Sequence, residues 1–309
     1  MVADEPGGLR CTTCDRRYTS VDGVLGLLPD RLAHLATPGE RGAHEPDRHA
    51  RWVDDEMEWW NPWYEAEATH RHSPVAGLRG RAREERLFRH VRSRLPQRPL
   101  VLEMGAGSSR TIAGLMPPGR TDVRYVATDV SAAGLRAGRP LLGSAAPSVQ
   151  CDAVDWPFRE GVADVVLILG VLHHLSDWRA SLDRACRTVR PGGFVLLHEA
   201  VTKPRILARF RAHGIDDHWT SPHEGDVPRD ELLGFLRERG ELERWSGEES
   251  PLRFALVRYV VQRFDLYARL ERSPAMAIAL NALDQGFGHT LGRVSPSLGF
   301  GELTAVWRR

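Results

Sequence analysis

The chain has 309 residues, of which 42% are hydrophobic, and its 42 basic and 41 acidic residues give a net charge of +1. This length allows one large domain with additions or two domains. No stretch approaches the roughly 18 consecutive apolar residues of a membrane span. The near-neutral charge gives no broad reason to bind nucleic acid and favours a small substrate. Because the first residues also lack the regions of a secretion signal, we expect a cytoplasmic protein that acts on a small molecule.

The start of the chain contains a Cys-x-x-Cys pair, Cys11 and Cys14, followed by a short apolar run. We interpret residues 1–45 as a small ribbon-like segment. The cysteine pair can supply half of a tetrahedral zinc site, but only distant histidines could supply the rest. The sequence therefore favours a degenerate ribbon over bound zinc, and a disulfide is not expected in a reducing compartment.

Residues 46–95 are predicted to form a helical cap. Four of the nine tryptophans of the chain lie in residues 52–63. Their rings could form the wall of a substrate pocket or pack the first segment onto the core, because tryptophan serves both purposes. The arginine-rich residues 79–94 indicate a solvated helix face, since the interleaved Glu84 and Glu85 would repel phosphate.

A glycine-rich turn follows an apolar strand at residues 101–104. Glu103 lies near the end of this strand, and Gly105 and Gly107 lie in the turn. Glycine can adopt backbone angles that other residues avoid, and a following helix presents amide groups to a ligand. A nicotinamide or flavin site would need a third glycine where Arg110 stands, so the turn favours another ligand.

Two more acids follow at the ends of apolar runs suited to buried parallel strands. Asp129 lies 24 residues after Gly105, and Asp152 lies 23 residues after Asp129. An acid one βαβ unit beyond the glycine turn can bind both hydroxyls of a ribose. The carboxyl ends of parallel strands meet at one edge of a sheet, so we expect these acids and Glu103 to converge there.

The next two predicted strands end at Gly170 and at Glu199, and two histidines, His173 and His174, follow the first of them at the start of a predicted helix. An imidazole there could accept a proton from a hydroxyl acceptor, and Glu199 could orient it. Alternatively, one of the pair, more readily His174, caps the turn and bonds to backbone.

The last third of the chain is predicted to complete the sheet. A helix should begin at Pro228 and end at Gly240, followed by a strand near 241–245 and a final strand at 301–307, which form an antiparallel edge hairpin. Between them, residues 252–296 have helical periodicity. We expect a helical lid there, and a dimer interface is the alternative.

The order of these features resembles the class I S-adenosylmethionine-dependent methyltransferases, in particular their small-molecule branch, most closely over residues 96–200. The resemblance implies an α/β fold with a doubly wound, seven-stranded Rossmann-like sheet. Residues 96–251 and 297–309 would form this core. The ribbon-like segment would precede it, and the helical lid would be inserted before the last strand.

The resemblance also implies a role for each residue of the edge. The first motif would hold the methionine end of the cofactor, Asp129 the ribose and Asp152 the adenine edge, while Gly170 would lie under the sulfonium. The residues assigned to the cofactor are Glu103, Gly105, Ala106, Gly107, Asp129, Val130, Asp152, Ala153 and Gly170. The family's third glycine falls at Ser109, which predicts a slightly looser turn.

These features predict methyl transfer from S-adenosylmethionine to a small molecule, most simply to a hydroxyl oxygen of a secondary metabolite, without a metal. His173, His174 and Glu199 are the predicted acceptor-side residues. A nitrogen or carbon acceptor stays open, because a neutral amine attacks without a base. The first segment also resembles the ribbon of ribosomal RNA guanine methyltransferases, so RNA methylation is an alternative, as is a cofactor-binding partner subunit without turnover.

Overall fold

The computed structural model describes the chain in separate stretches. The described residues are 2–4, 8–10, 12, 17–35, 47–69, 85, 87–109, 112, 122–142, 146–202, 221–223, 227–249, 275, 279, 282 and 300–309. Cys11 and Cys14, and nearly all of the predicted lid at 252–296, lie outside the described residues.

The described residues of the predicted ribbon-like segment include five short strands. They are β1 (Val2–Asp4), β2 (Gly8–Arg10), β3 (Arg17–Tyr18), β4 (Ser20–Val21) and β5 (Val24–Gly26). The first three form a small antiparallel sheet of their own. In contrast, β4 and β5 form a hairpin, and β5 pairs in parallel with residues 148–150 of the central sheet. Part of the segment therefore extends the central sheet, because an edge strand offers unpaired backbone groups to another strand.

Eight further strands complete the central sheet. They are β6 (Leu100–Met104), β7 (Arg124–Asp129), β8 (Ser148–Gln150), β9 (Ala163–Leu169), β10 (Val189–Thr202), β11 (Val227–Pro228), β12 (Glu241–Glu249) and β13 (Phe300–Arg308). Seven of them follow the order β12-β13-β10-β9-β6-β7-β8, and β11 pairs with β10. The strands from β10 to β8 are parallel, while β13 is antiparallel to β10 and β12. The predicted Rossmann-like sheet and its antiparallel edge hairpin are confirmed, and β4, β5 and β11 extend the seven predicted strands to ten among the described residues.

The sheet is buried on both faces, as β9 illustrates. Its residues Val166 and Ile168 belong to one hydrophobic cluster, whereas Val165 and Leu167 belong to the other. Successive side chains of a strand point to opposite faces, so a strand covered on both sides reads as a continuous apolar run. This is why the central strands could be located from the sequence.

Among the described residues, four helices of eleven or more residues cover the sheet and its carboxyl edge: α1 (Arg48–Thr69), α2 (Ala132–Leu142), α3 (Trp178–Thr188) and α4 (Arg229–Arg239). The predicted ends of α4 are confirmed, with Pro228 before it and Gly240 after it. α1 packs against α2. The expectation that His173 and His174 begin a helix was wrong, because they lie in a separate 3-10 turn, Leu172–His174, and Asp177 caps α3 by accepting the Ala180 amide at 3.0 Å.

Candidate functional site

The three predicted acids lie at the carboxyl ends of neighbouring strands. Glu103 is the penultimate residue of β6, Asp129 ends β7, and Asp152 follows β8 by two residues. β6 pairs with β7 and β7 with β8, so the three acids follow one another along the same edge of the sheet. The structure thus brings together the acids that the sequence predicted to converge.

The glycine turn between β6 and the next helix depends on both of its glycines. Gly105 and Gly107 have φ angles of +67° and +48°. A Cβ at Gly105 would lie 2.4 Å from a methyl of Val171, and one at Gly107 would lie 2.6 Å from the Tyr64 hydroxyl. Because both neighbours are protein atoms, close packing within the chain requires these glycines in addition to the backbone angles.

Ser109 occupies the position at which the family that this chain resembles has its third glycine, and its backbone adopts a positive φ, as a glycine readily would. Its φ is +52°, although the residue is only 1% exposed. A side chain in this left-handed region costs roughly 1–2 kcal/mol. The turn therefore retains the backbone geometry of the missing glycine and stores strain at this position.

We expect Ser109→Gly to stabilise the protein. Removal of the side chain relieves the strain, while the greater freedom of glycine in the unfolded chain offsets part of the gain, so the free energy of unfolding should rise by about 0.5–1 kcal/mol. Urea denaturation measures this change. Ser108→Gly is the matched control: Ser108 is also buried but has no positive φ, and the same substitution there should lower stability.

Asp129 organises the turn through both of its carboxylate oxygens. Oδ2 accepts the Gly107 amide and Oδ1 accepts the Ser131 amide, each at 2.7 Å. Burial raises the pKa of Asp129 even though these amides favour its ionised form. Each oxygen has a second lone pair, so the pair of oxygens fits two vicinal hydroxyls of a ribose.

Glu103 is buried beneath the glycine turn and is hydrogen-bonded to Tyr125. It is 2% exposed, and its Oε2 accepts a hydrogen bond from the Tyr125 hydroxyl. Burial, followed by the charge and hydrogen bond of Glu103, raises the pKa of Tyr125 well above its ordinary value, so Tyr125 stays a donor. The backbone of the predicted motif is also paired internally, since the Ala106 amide donates to the Thr128 carbonyl at 2.8 Å.

The residues predicted for the adenine edge differ in burial, since Asp152 is buried whereas Val130 and Ala153 are half-buried. Asp152 is 3% exposed, and its Oδ2 contacts Arg31 and His49. Ala153 packs against one core cluster, and Val130 packs against a third cluster formed by the N-terminal residues and α1.

His173 is held by Glu199 beside Gly170. Its Nδ1 pairs with Oε1 of Glu199, and Oε2 of Glu199 accepts the amides of Val171 and Leu172 at 3.1 and 2.7 Å. Glu199 is fully buried; burial alone would raise its pKa, but the charge and hydrogen bond of His173 and the Leu172 amide hold that pKa below its usual value. A Cβ built on Gly170 would lie 4.0 Å from Cε1 of His173, so the ring faces the space beside this glycine.

His174 joins the sheet edge to α1 instead of bonding its ring to backbone. Its Nδ1 lies 3.4 Å from Oε2 of Glu56 and 3.0 Å from the Ser221 hydroxyl. Burial would raise the pKa of Glu56, but the hydrogen bonds from His174 and Ser221 keep it below its usual value. The rings of His174 and His173 are 4.0 Å apart, so α1 supports the same site as Glu199.

The tryptophans of α1 divide into two pairs. The Trp52 indole donates to the His174 carbonyl at 2.8 Å, and the Trp60 ring meets the His174 ring edge-on at 5.4 Å. Trp59 and Trp63 are each 43% exposed. The first pair therefore contacts His174, and a role of these rings in a substrate pocket stays a prediction.

Sequence reasoning missed several residues of the site. They are Arg31, His49, Glu56, Tyr64 and Ser221. No local pattern singles them out, because each reaches the edge from a distant part of the chain. Among the described residues, no group of three or more metal-ligating side chains is placed to hold a metal ion, and no helix is long and apolar enough to span a membrane.

Comparisons with known proteins identify a methyltransferase domain in this part of the chain. Residues 102–197 match the family model described as a methyltransferase domain. Demethylmenaquinone methyltransferase of Clavibacter sepedonicus is 32% identical over 35% of this chain and 44% of that protein. A highly reducing polyketide synthase of Aspergillus aculeatus is 28% identical over 48% of this chain and 6% of the synthase. The chain thus spans less than half the length of these curated relatives.

A structural neighbour supports the fold. A protein from Galdieria sulphuraria, proposed to be a sarcosine dimethylglycine methyltransferase, superposes with a TM-score of 0.51 at 14% identity, covering 82% of this chain and 98% of that one. At this identity the likeness concerns the fold, and it extends well beyond the residues that the family model matches.

Proposed function

Since residues 102–197 form a class I S-adenosylmethionine-dependent methyltransferase domain, we propose that the chain methylates a hydroxyl oxygen of a small molecule. S-adenosylmethionine is the cofactor of the domain and supplies an electrophilic methyl group. In-line displacement mainly requires alignment and exclusion of water, and a hydroxyl acceptor also requires a base.

The observation that carries the oxygen assignment is the Glu199–His173 pair beside Gly170. A buried carboxylate that accepts from Nδ1 fixes the imidazole with its basic lone pair on Nε2 and stabilises the ring when it takes a proton. The position of the His173 ring, which faces the space beside Gly170, supports proton transfer next to the predicted methyl position. The Glu56–His174 pair and the indoles of α1 support a shielded acceptor site over the same edge.

The cofactor residues are assigned on the same basis. Asp129 would bind the ribose hydroxyls with its two oxygens, and Asp152 would accept from the adenine amino group. Gly105, Ala106 and Gly107 would shape the backbone at the methionine end, above Glu103. Val130 and Ala153 would contact the adenine ring, and Gly170 would leave room for the sulfonium.

The test uses S-adenosylmethionine with a labelled methyl group, offered with RNA and with a library of small molecules that carry hydroxyl, amine or activated carbon groups. We expect label in an O-methyl product, and we expect His173→Asn to lower that rate by about 100-fold or more, the usual share of a general base. Label that reaches only amines, carbon centres or RNA would contradict the oxygen assignment. Cofactor binding without any labelled product would instead indicate a partner subunit without turnover.

A further inference from the structure

Two residues from the N-terminal part of the chain bind the carboxylate proposed for the adenine edge. Nε2 of His49, in the first turn of α1, lies 2.7 Å from Oδ2 of Asp152, and the Arg31 guanidinium lies 3.2 Å from the same oxygen. Oδ1 accepts the Val154 amide at 2.9 Å. Asp152 is therefore already bonded through both oxygens by its own chain.

The His49 ring also reaches the loop that follows β9. Its Nδ1 lies 2.6 Å from the Ser176 hydroxyl, so one imidazole links the end of β8 to the loop after β9. The segment is anchored by packing as well, because Leu32 and Ala50 are fully buried in the cluster that Val130 contacts. These contacts hold the start of α1 against the part of the sheet edge that contains Asp152.

Asp152 remains a charged acceptor in this arrangement. Burial alone would raise its pKa, but the hydrogen bond and charge of His49 hold that pKa below its usual value. A carboxylate oxygen has two lone pairs, and those of Oδ2 are met by Arg31 and His49. Oδ1 keeps one lone pair beside the Val154 amide. The Asp152 side chain is only 3% exposed, however, so its present partners cover the carboxylate, and an incoming donor must displace one of them.

His49 is the partner that can leave more readily. Arg31 is also bonded to Asp155, which keeps the guanidinium in place between two carboxylates. The other partner of His49 is the Ser176 hydroxyl, which holds a side chain less strongly than the second carboxylate that binds Arg31.

We propose that His49 and the adenine amino group compete for Asp152, so that cofactor binding is coupled to release of the first turn of α1 from the sheet edge. This inference rests on the proposed cofactor site. It makes His49 a determinant of cofactor affinity that acts through Asp152, without contact with the acceptor.

Binding calorimetry with two unreactive ligands tests the competition. S-adenosylhomocysteine carries the amino group, and S-inosylhomocysteine carries a carbonyl in its place. His49→Ala removes the competitor, so the Kd for S-adenosylhomocysteine should fall by about tenfold, the order expected for one hydrogen bond to a charged group. The Kd for the inosine analogue should not improve. Ser176→Ala, at an exposed position, should tighten adenosyl binding by a smaller factor.

His90→Ala is the matched control, since His90 pairs with Glu243 at 3.1 Å away from the edge, and it should leave both Kd values unchanged. Unchanged or weaker adenosyl binding by the His49 and Ser176 variants, with normal binding by the wild type, would overturn the competition alone. Equal tightening of both ligands would also overturn it, because it would indicate general loosening. A wild type that binds neither ligand would overturn the proposed function and the competition with it.

Discussion

Glu199→Gln is expected to lower the rate of methyl transfer by about a thousandfold while the protein still binds its cofactor. The glutamine carbonyl can accept the Val171 and Leu172 amides, but the amide group would donate to His173 Nδ1. His173 would then carry its proton on Nε2, which is the wrong tautomer for a base, and such a change at a comparable triad costs about 10⁴-fold. The rate is measured on the acceptor identified with labelled cofactor.

Glu302→Gln is the matched control for this substitution. Glu302 of β13 lies 3.5 Å from His198, and His198 is on β10 next to Glu199. Glu302 and His198 therefore form a second carboxylate–imidazole pair close to the first. We expect its rate to equal that of the wild type. Equal rates for Glu199→Gln and the wild type would remove Glu199 from the mechanism.

Glu199→Gln should also change how the stability of the protein depends on pH in the acidic range. Because the pKa of Glu199 lies below its usual 4.5, the stability that the carboxylate contributes is present above pH 4.5 and is lost as the pH falls through the lower folded value. The stability of Glu199→Gln should lack this part of the pH dependence. Urea unfolding at several pH values below about 5 measures the difference between the two proteins.

The sequence predicted the central sheet because its strands are buried on both faces. The apolar runs at β6, β7, β9 and β10 each end at a glycine or an acid, and parallel pairing brings those ends to one edge. The local sequence pattern was therefore enough to predict that Glu103, Asp129, Asp152, His173 and Glu199 lie along this edge. Their assigned roles remain predictions that the variants above and below test.

The contacts of α1 could not be predicted in this way. His49 meets Asp152 across 103 residues, and the His223 amide meets Glu56 across 167. Such pairs depend on how the cap docks on the sheet, which no periodicity or spacing encodes. The pairing of β5 with β8 was missed for the same reason, since three residues with an open backbone edge carry little pattern.

Asp129→Ala is expected to weaken binding of S-adenosylmethionine by more than about 100-fold. Loss of two charge-assisted hydrogen bonds to ribose accounts for roughly 3 kcal/mol or more. The substitution also frees the amides of Gly107 and Ser131, which Asp129 now fixes at 2.7 Å, so the turn would lose part of its order. Both effects act in the same direction.

Titration calorimetry of the native chain with S-adenosylmethionine tests the cofactor site most directly. Asp183→Asn serves as the control, because Asp183 pairs with Arg187 and Arg239 at the protein surface. We expect saturable binding by the wild type and the control, and none by Asp129→Ala over the same concentration range. Absence of saturable heat for the wild type, or equal affinity for Asp129→Ala, would contradict the assignment of this edge as the cofactor site.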